Sequence, residues 1–127
     1  MLPDLPEGGR VVSVGVDIAD VTRIRAVLLR DPDRFARRVL TDSERDYCFA
    51  RPDPATHIAA RFAAKEAVIK CLGGGCGLRD IAIIRAESGA PSVVLTGRAA
   101  ARAANRRVLV SLSHLQTIAT AFAVLVE

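Results

Sequence analysis

The chain has no tryptophan, one tyrosine and four phenylalanines. So few aromatic rings argue against a single-strand nucleic-acid binder built on stacking platforms. Cysteine is sparse too. Cys48, Cys71 and Cys76 are odd in number and lack paired spacing. That speaks against a disulfide framework or a zinc site and leaves them as small hydrophobes in a reducing compartment. Long apolar runs are missing. The longest nearly apolar run, Ile118 to Val126, is about half of the roughly 20 residues needed to span a bilayer. The opening MLPDLPEGGR is acidic and has no apolar stretch, so it does not read as a signal peptide. A cytoplasmic protein without a membrane partner is expected. There is no low-complexity tract and no fixed-period repeat.

Lysine is the other scarcity. Of 18 basic residues only Lys65 and Lys70 are lysines, and the rest are arginines. The net charge of +4 suits an acidic partner: nucleic acid, a phosphorylated small molecule or an acidic protein. The 127 residues are enough for one domain with a real core, spanning 1–127 with 1–9 as a loose arm.

"RVVSVGVDIAD" alternates as a half-buried strand does, with Val12, Val14, Val16 and Ile18 on one face and Ser13, Gly15 and Asp17 on the other. Asp20 is placed to cap a helix from Val21, which Asp31-Pro32 breaks. "DRFARRVLT" predicts a short helix, and Thr41 with Glu44 forms a capping-box pattern that opens another. A long helix is expected from about Thr56 to Leu72, ended by "GGGCG". Then follow strands in "DIAIIRAE" and "PSVVLT" with a turn at Ser88-Gly89, a helix in "GRAAARAANR", and two strands joined at Leu115-Gln116. The order gives an α+β fold, a mostly antiparallel sheet packed against helices.

"ARFAAKEAVIKCLGGGCG", residues 60 to 77, carries the chemistry. On a helical wheel Glu66 and Lys70 fall together on one side of Phe62, while Arg61 and Lys65 fall together on its other side. The rest of the circumference is almost wholly apolar. Charges on such a helix are costly unless they are paired, bind an ion or face a cleft. Glu66 and Lys70 stand at the i,i+4 spacing of a simple ion pair, which is the bland reading. Lysine has a compact ammonium where arginine has a broad fork, so Lys70 fits a tight phosphate site beside a metal. Asp17 is either a turn-forming residue or an oxygen ligand for a hard cation. With Glu66 it could supply the one or two carboxylates that Mg2+ typically takes. The glycines follow a helix, unlike a phosphate-binding loop of the GxxxxGKS kind. His114, closing "SLSH", has no paired histidine or CxxC, and no GxSxG elbow accompanies the serines.

Taken together, "VGVDIADVTRI", "RFARRVLTDSE", "RFAAKEAVIKCLGGG", "GAPSVVL" and "VSLSHLQTIATAFAVLVE" resemble the holo-acyl-carrier-protein synthase family, the small bacterial type of 4′-phosphopantetheinyl transferase. The resemblance runs from about Val12 to Glu127. It implies the 4′-phosphopantetheinyl transferase fold and a Mg2+-dependent enzyme. The reaction would move the 4′-phosphopantetheine arm of coenzyme A to a serine of an apo acyl carrier protein, or of a peptidyl or polyketide carrier. Adenosine 3′,5′-bisphosphate would be released. It further implies a homotrimer with active sites between subunits.

By the same resemblance Asp17 and Glu66 are the metal-binding carboxylates, and Lys70 meets the coenzyme A phosphates. Arg61, Lys65, Gly73, Gly74, Gly75 and His114 lie near the nucleotide and phosphate. Arg23 and Arg34 stand on the carrier-docking side, where arginines would suit an acidic carrier helix. The base that takes the serine proton is either Glu66 or a metal-bound water. The loop departs from the family's frequent Gly-Thr-Gly. A weakened relative that binds coenzyme A or a carrier, and a basic nucleic-acid binder, are the competing readings. Carboxylates opposed to lysines on a buried helix favour the enzyme.

Overall fold

The computed structural model describes residues 9–127, so the expected loose arm lies outside the described residues except for Gly9. Strand β1 (Val11–Asp20) runs directly into helix α1 (Val21–Arg30). The Asp20 carboxylate caps it by accepting from the Arg23 amide. Asp31 ends α1 and, through its side chain, caps α2 (Pro32–Val39). Thr41 and Glu44 form the expected reciprocal capping box at the start of α3 (Asp42–Phe49).

Helix α4 (Pro54–Cys71) is the longest element and starts two residues earlier than the sequence predicts. It ends in a Schellman motif. The Gly73 amide donates to the Lys70 carbonyl and the Gly74 amide to the Ile69 carbonyl. Gly73 has φ +82°, the left-handed conformation that this motif needs and glycine adopts freely. A 3₁₀ turn (Leu78–Asp80) leads to β2 (Ile81–Arg85) and β3 (Pro91–Leu95). Helix α5 (Gly97–Ala103), β4 (Arg107–His114) and β5 (Ile118–Val126) complete the chain. The β4–β5 hairpin closes with the Leu115 amide donating to the Ile118 carbonyl. Its tip is therefore Gln116-Thr117, one residue beyond the expected position.

The expected single sheet is two antiparallel sheets, one with strand order β1-β5-β4 and one pairing β2 with β3. The α+β class stands. Helix α4 lies across the inner face of the larger sheet, at the centre of one contiguous apolar core.

The buried face of β1 is the small one. Gly15, Asp17 and Ala19 pair with Ala123, Ala121 and Ala119 of β5, and these residues line the α4 side. A sheet surface of glycine and alanine lets a helix axis come close. Val14, Val16 and Ile18 face outward at 54%, 54% and 65% exposure, beside Phe122 at 44%. Alternation alone correctly separates the two faces, but the larger side chains are on the uncovered one. Among the described residues, no helix is long and apolar enough to cross a membrane.

Candidate active site

Gly15 sets the distance between β1 and α4. A Cβ at this position would strike the Ala67 carbonyl oxygen and lie 3.0 Å from the Cys71 amide nitrogen. Only glycine leaves room for that backbone-to-backbone approach. Two residues before it, the Ser13 hydroxyl donates to the Cys71 carbonyl at 2.5 Å. Two residues after it, Asp17 is carried to the last turn of α4.

There Lys70 Nζ donates to Asp17 Oδ1 and to the Val16 carbonyl, both at 3.0 Å. The side chain of Asp17 is largely covered and that of Lys70 is about half exposed. Lys70 thus bonds across to the strand, and the bland i,i+4 pair with Glu66 is not what the structure forms. Glu66 is partly buried one turn earlier on the same side. Burial, and next the Asp17 carboxylate, push the Glu66 carboxyl above its ordinary range, and Lys70 pulls it back. Two carboxylates close enough to oppose each other's charge form an acceptor pair suited to a cation. Among the described residues no group of three or more His, Cys, Asp or Glu forms a metal cage. The pair fits Mg2+, which keeps waters and takes phosphate oxygens beside one or two carboxylates.

Arg61 and His114 occupy a second location, on the other side of α4. They share a pocket of about 310 Å³ with Tyr47, His57 and Arg85. The Arg61 guanidinium lies 4.4 Å from the Tyr47 ring centroid, and Arg51 stacks on the same ring at 4.1 Å. His57 sits edge-on to both Tyr47 and His114, with ring centroids 6.0 Å apart in each case. Contrary to the sequence reading, His114 does have a histidine beside it, although no third metal ligand joins them among the described residues. Burial, then the charge of Arg61, lowers the proton affinity of His57. Arg61 Nε is buried without a hydrogen-bond partner among the described residues. Two arginines give this pocket positive charge, beside two histidines and edge-to-face rings. Tyr47, His57 and Arg85 were not singled out by the sequence. They come from α3, the start of α4 and β2, and no local spacing links them.

Lys65 joins neither group. It is fully buried, and its Nζ donates to Glu44 Oε1 at 2.5 Å and to the Val39 carbonyl at 2.6 Å. Glu44 Oε1 also accepts from the Thr41 amide, and Oε2 from the Ile83 amide. One carboxylate therefore closes the α3 cap, holds β2 and neutralises the α4 lysine. Burial lowers the proton affinity of Lys65, and Glu44 opposes the shift. The expected place of Lys65 near the nucleotide gives way to a place inside the core, since its ammonium is held by protein acceptors.

The glycine loop, Gly73 to Gly75, leaves α4 just past Lys70, and Arg102 of α5 donates to the carbonyls of Gly73 and Gly74. Arg23 and Arg34 are exposed in the first turns of α1 and α2.

Residues 13–123 match the model of the 4′-phosphopantetheinyl transferase superfamily. Over 122 residues the chain is 46% identical to the holo-[acyl-carrier-protein] synthase of Desulforudis audaxviator, covering 91% of this chain and 93% of that one. Among solved structures it is similar to the holo-ACP-synthase of Plasmodium yoelii, with TM-score 0.82 and 29% identity over 94% and 98% of the two chains. It is also similar to the holo-[acyl-carrier-protein] synthase of Helicobacter pylori in complex with coenzyme A, with TM-score 0.77 and 31% identity over 88% and 98%.

Proposed function

The chain belongs to the 4′-phosphopantetheinyl transferase superfamily as a holo-[acyl-carrier-protein] synthase, and from that premise we propose the reaction and the residues that carry it. The 4′-phosphopantetheine arm of coenzyme A passes to a serine hydroxyl of an apo acyl carrier protein. The serine oxygen bonds to the β-phosphorus as the bond from that phosphorus to the bridging oxygen breaks, and adenosine 3′,5′-bisphosphate leaves. The contact of Lys70 with Asp17, flanked by Glu66, is the observation that carries this reading.

Asp17 and Glu66 would hold a Mg2+, which would supply positive charge to the diphosphate as its bridging bond is cleaved. Lys70 places a mobile ammonium beside the same oxygens, and its exposure lets it leave Asp17 for a phosphate. Glu66 or a metal-bound water would take the serine proton. Arg61 and His114 bind the nucleotide end, with Tyr47 and His57 forming the wall. Lys65 acts through the fold and touches no substrate. Arg23 and Arg34 present positive charge to an acidic carrier.

The two groups of residues lie on opposite sides of α4, which fits a site completed by a second copy of the chain. The uncovered valine face of β1 with Phe122 supplies an apolar surface for such a copy. We read the assembly as a homotrimer of single-domain subunits serving cytoplasmic lipid synthesis. Mixing coenzyme A, Mg2+ and an apo carrier with the enzyme should release adenosine 3′,5′-bisphosphate. No carrier-dependent nucleotide release would contradict the assignment.

A further inference from the structure

We propose that Arg102 is a positioning residue for coenzyme A, holding the glycine loop and, through it, the turn of α4 that presents Lys70. The proposal rests on the reading that this loop and Lys70 meet the coenzyme A phosphates. Arg102 is on a different element, in the last turn of α5. Its Nε donates to the Gly74 carbonyl and an Nη to the Gly73 carbonyl, both at 3.0 Å. This planar two-point grip is something a lysine cannot reproduce.

The grip falls on the two residues that end α4. Gly73 and Gly74 donate their amides back to the carbonyls of Lys70 and Ile69. Arg102 therefore fixes the loop from one side while the loop fixes the backbone of Lys70 from the other. A cation at the carbonyl end of a helix is also favoured by the helix dipole. The guanidinium fills the space over Gly75, where a Cβ would lie 3.3 Å from it.

Arg102 has a firm base. Ala99 and Ala103 of α5 are buried, and the Thr96 amide just before the helix donates to the Asp80 carbonyl, tying α5 to the 3₁₀ turn that follows the loop. Beyond Gly74, the amides of Gly75, Cys76 and Gly77 have no backbone acceptor among the described residues. The orientation of those donors depends on the loop that Arg102 grips. An arrangement that keeps glycine's backbone freedom while clamping it externally suits a surface that must fit an anion closely.

The test compares wild type with Arg102→Ala and Arg102→Lys, using steady-state transfer and hydrogen exchange of the bonded Gly73 and Gly74 amides. Wild-type transfer tests the proposed function on its own, and exchange reads the clamp whether or not transfer occurs. The expected result for Arg102→Ala is about a tenfold rise in the KM for coenzyme A, the size expected for lost charge-assisted bonds. The KM for the carrier should stay unchanged and loop amides should exchange faster. Arg102→Lys should lie between the two. Unchanged exchange overturns the clamp, and faster exchange with an unchanged coenzyme A KM overturns the positioning role. A rise in KM without faster exchange also overturns it, because Arg102 would then contact the ligand itself.

Discussion

Lys70 Nζ lies 3.0 Å from Asp17 Oδ1, across 53 residues of sequence. Gly15 makes that contact possible, because any side chain there would strike the Ala67 carbonyl. Gly15→Ala should force β1 and α4 apart. Overpacking of this kind costs about 1–3 kcal/mol, and denaturant unfolding should show at least that loss, together with reduced transfer. Full stability with full activity would mean that the two backbones need not approach so closely.

Glu66→Gln should remove most transfer activity while leaving the unfolding midpoint close to that of wild type. Added Mg2+ should raise the Tm of wild type, by an amount equivalent to about 2.7 kcal/mol at a hundred times Kd. It should raise neither Glu66→Gln nor Asp17→Asn to that degree. Scanning calorimetry with and without Mg2+ decides it, and equal stabilisation of all three proteins would remove both carboxylates from the metal site.

The raised Glu66 carboxyl has a pH consequence. Between the ordinary glutamate value and the raised one, the folded chain holds a proton that the unfolded chain has lost. Without metal, Glu66 therefore contributes a loss of stability as pH rises through that window. Mg2+ binding requires the carboxylate, so stabilisation by Mg2+ should grow over the same pH range. Transfer should fall as pH drops through it. A Mg2+ effect independent of pH there would contradict the assignment of Glu66.

Lys65→Ala leaves the buried Glu44 without its cation, and breaking such a pair costs about 3–5 kcal/mol. The double variant Lys65→Met with Glu44→Gln should be less destabilised than the sum of the single changes, since neither charge is left alone. Urea unfolding of the cycle measures this. Additive losses would mean that the two side chains are not coupled.

Lys70→Ala should raise the KM for coenzyme A more than that for the carrier, and Arg23→Ala should do the reverse. Steady-state kinetics with each substrate varied would read the difference, and equal effects in both variants would abolish the division of roles. On the far side of the sheet, Val16→Lys should dissociate the proposed homotrimer, as light scattering would show. A wild-type chain that already runs as a monomer would contradict the subunit interface.

Much of the local structure is legible in the sequence because local chemistry sets it. Asp20 and Thr41 cap their helices through neighbours three residues away, as the sequence predicts, while Asp31, which the sequence marks only as a helix break, also caps α2. The glycines after Leu72 end α4 by backbone freedom. Asp17, Glu66 and Lys70 stand out because charge on an apolar helix, or on the small face of a strand, demands an explanation. Long-range packing is less legible. The outward turn of Val14, Val16 and Ile18 depends on what covers each face. The burial of Lys65 depends on Glu44, and a capping-box glutamate carries no mark of a second partner. Tyr47 and His57 meet only once α3 and α4 are folded together.

Intact-mass measurement of an apo carrier protein, incubated with coenzyme A and this protein with and without Mg2+, is the most direct test. The carrier should become heavier by one phosphopantetheine group with Mg2+, and gain little or nothing with Glu66→Gln or with the metal chelated. If no fatty-acid, polyketide or peptide carrier gains mass, the proposed transfer is contradicted. If Glu66→Gln matches wild type, the proposed site is contradicted.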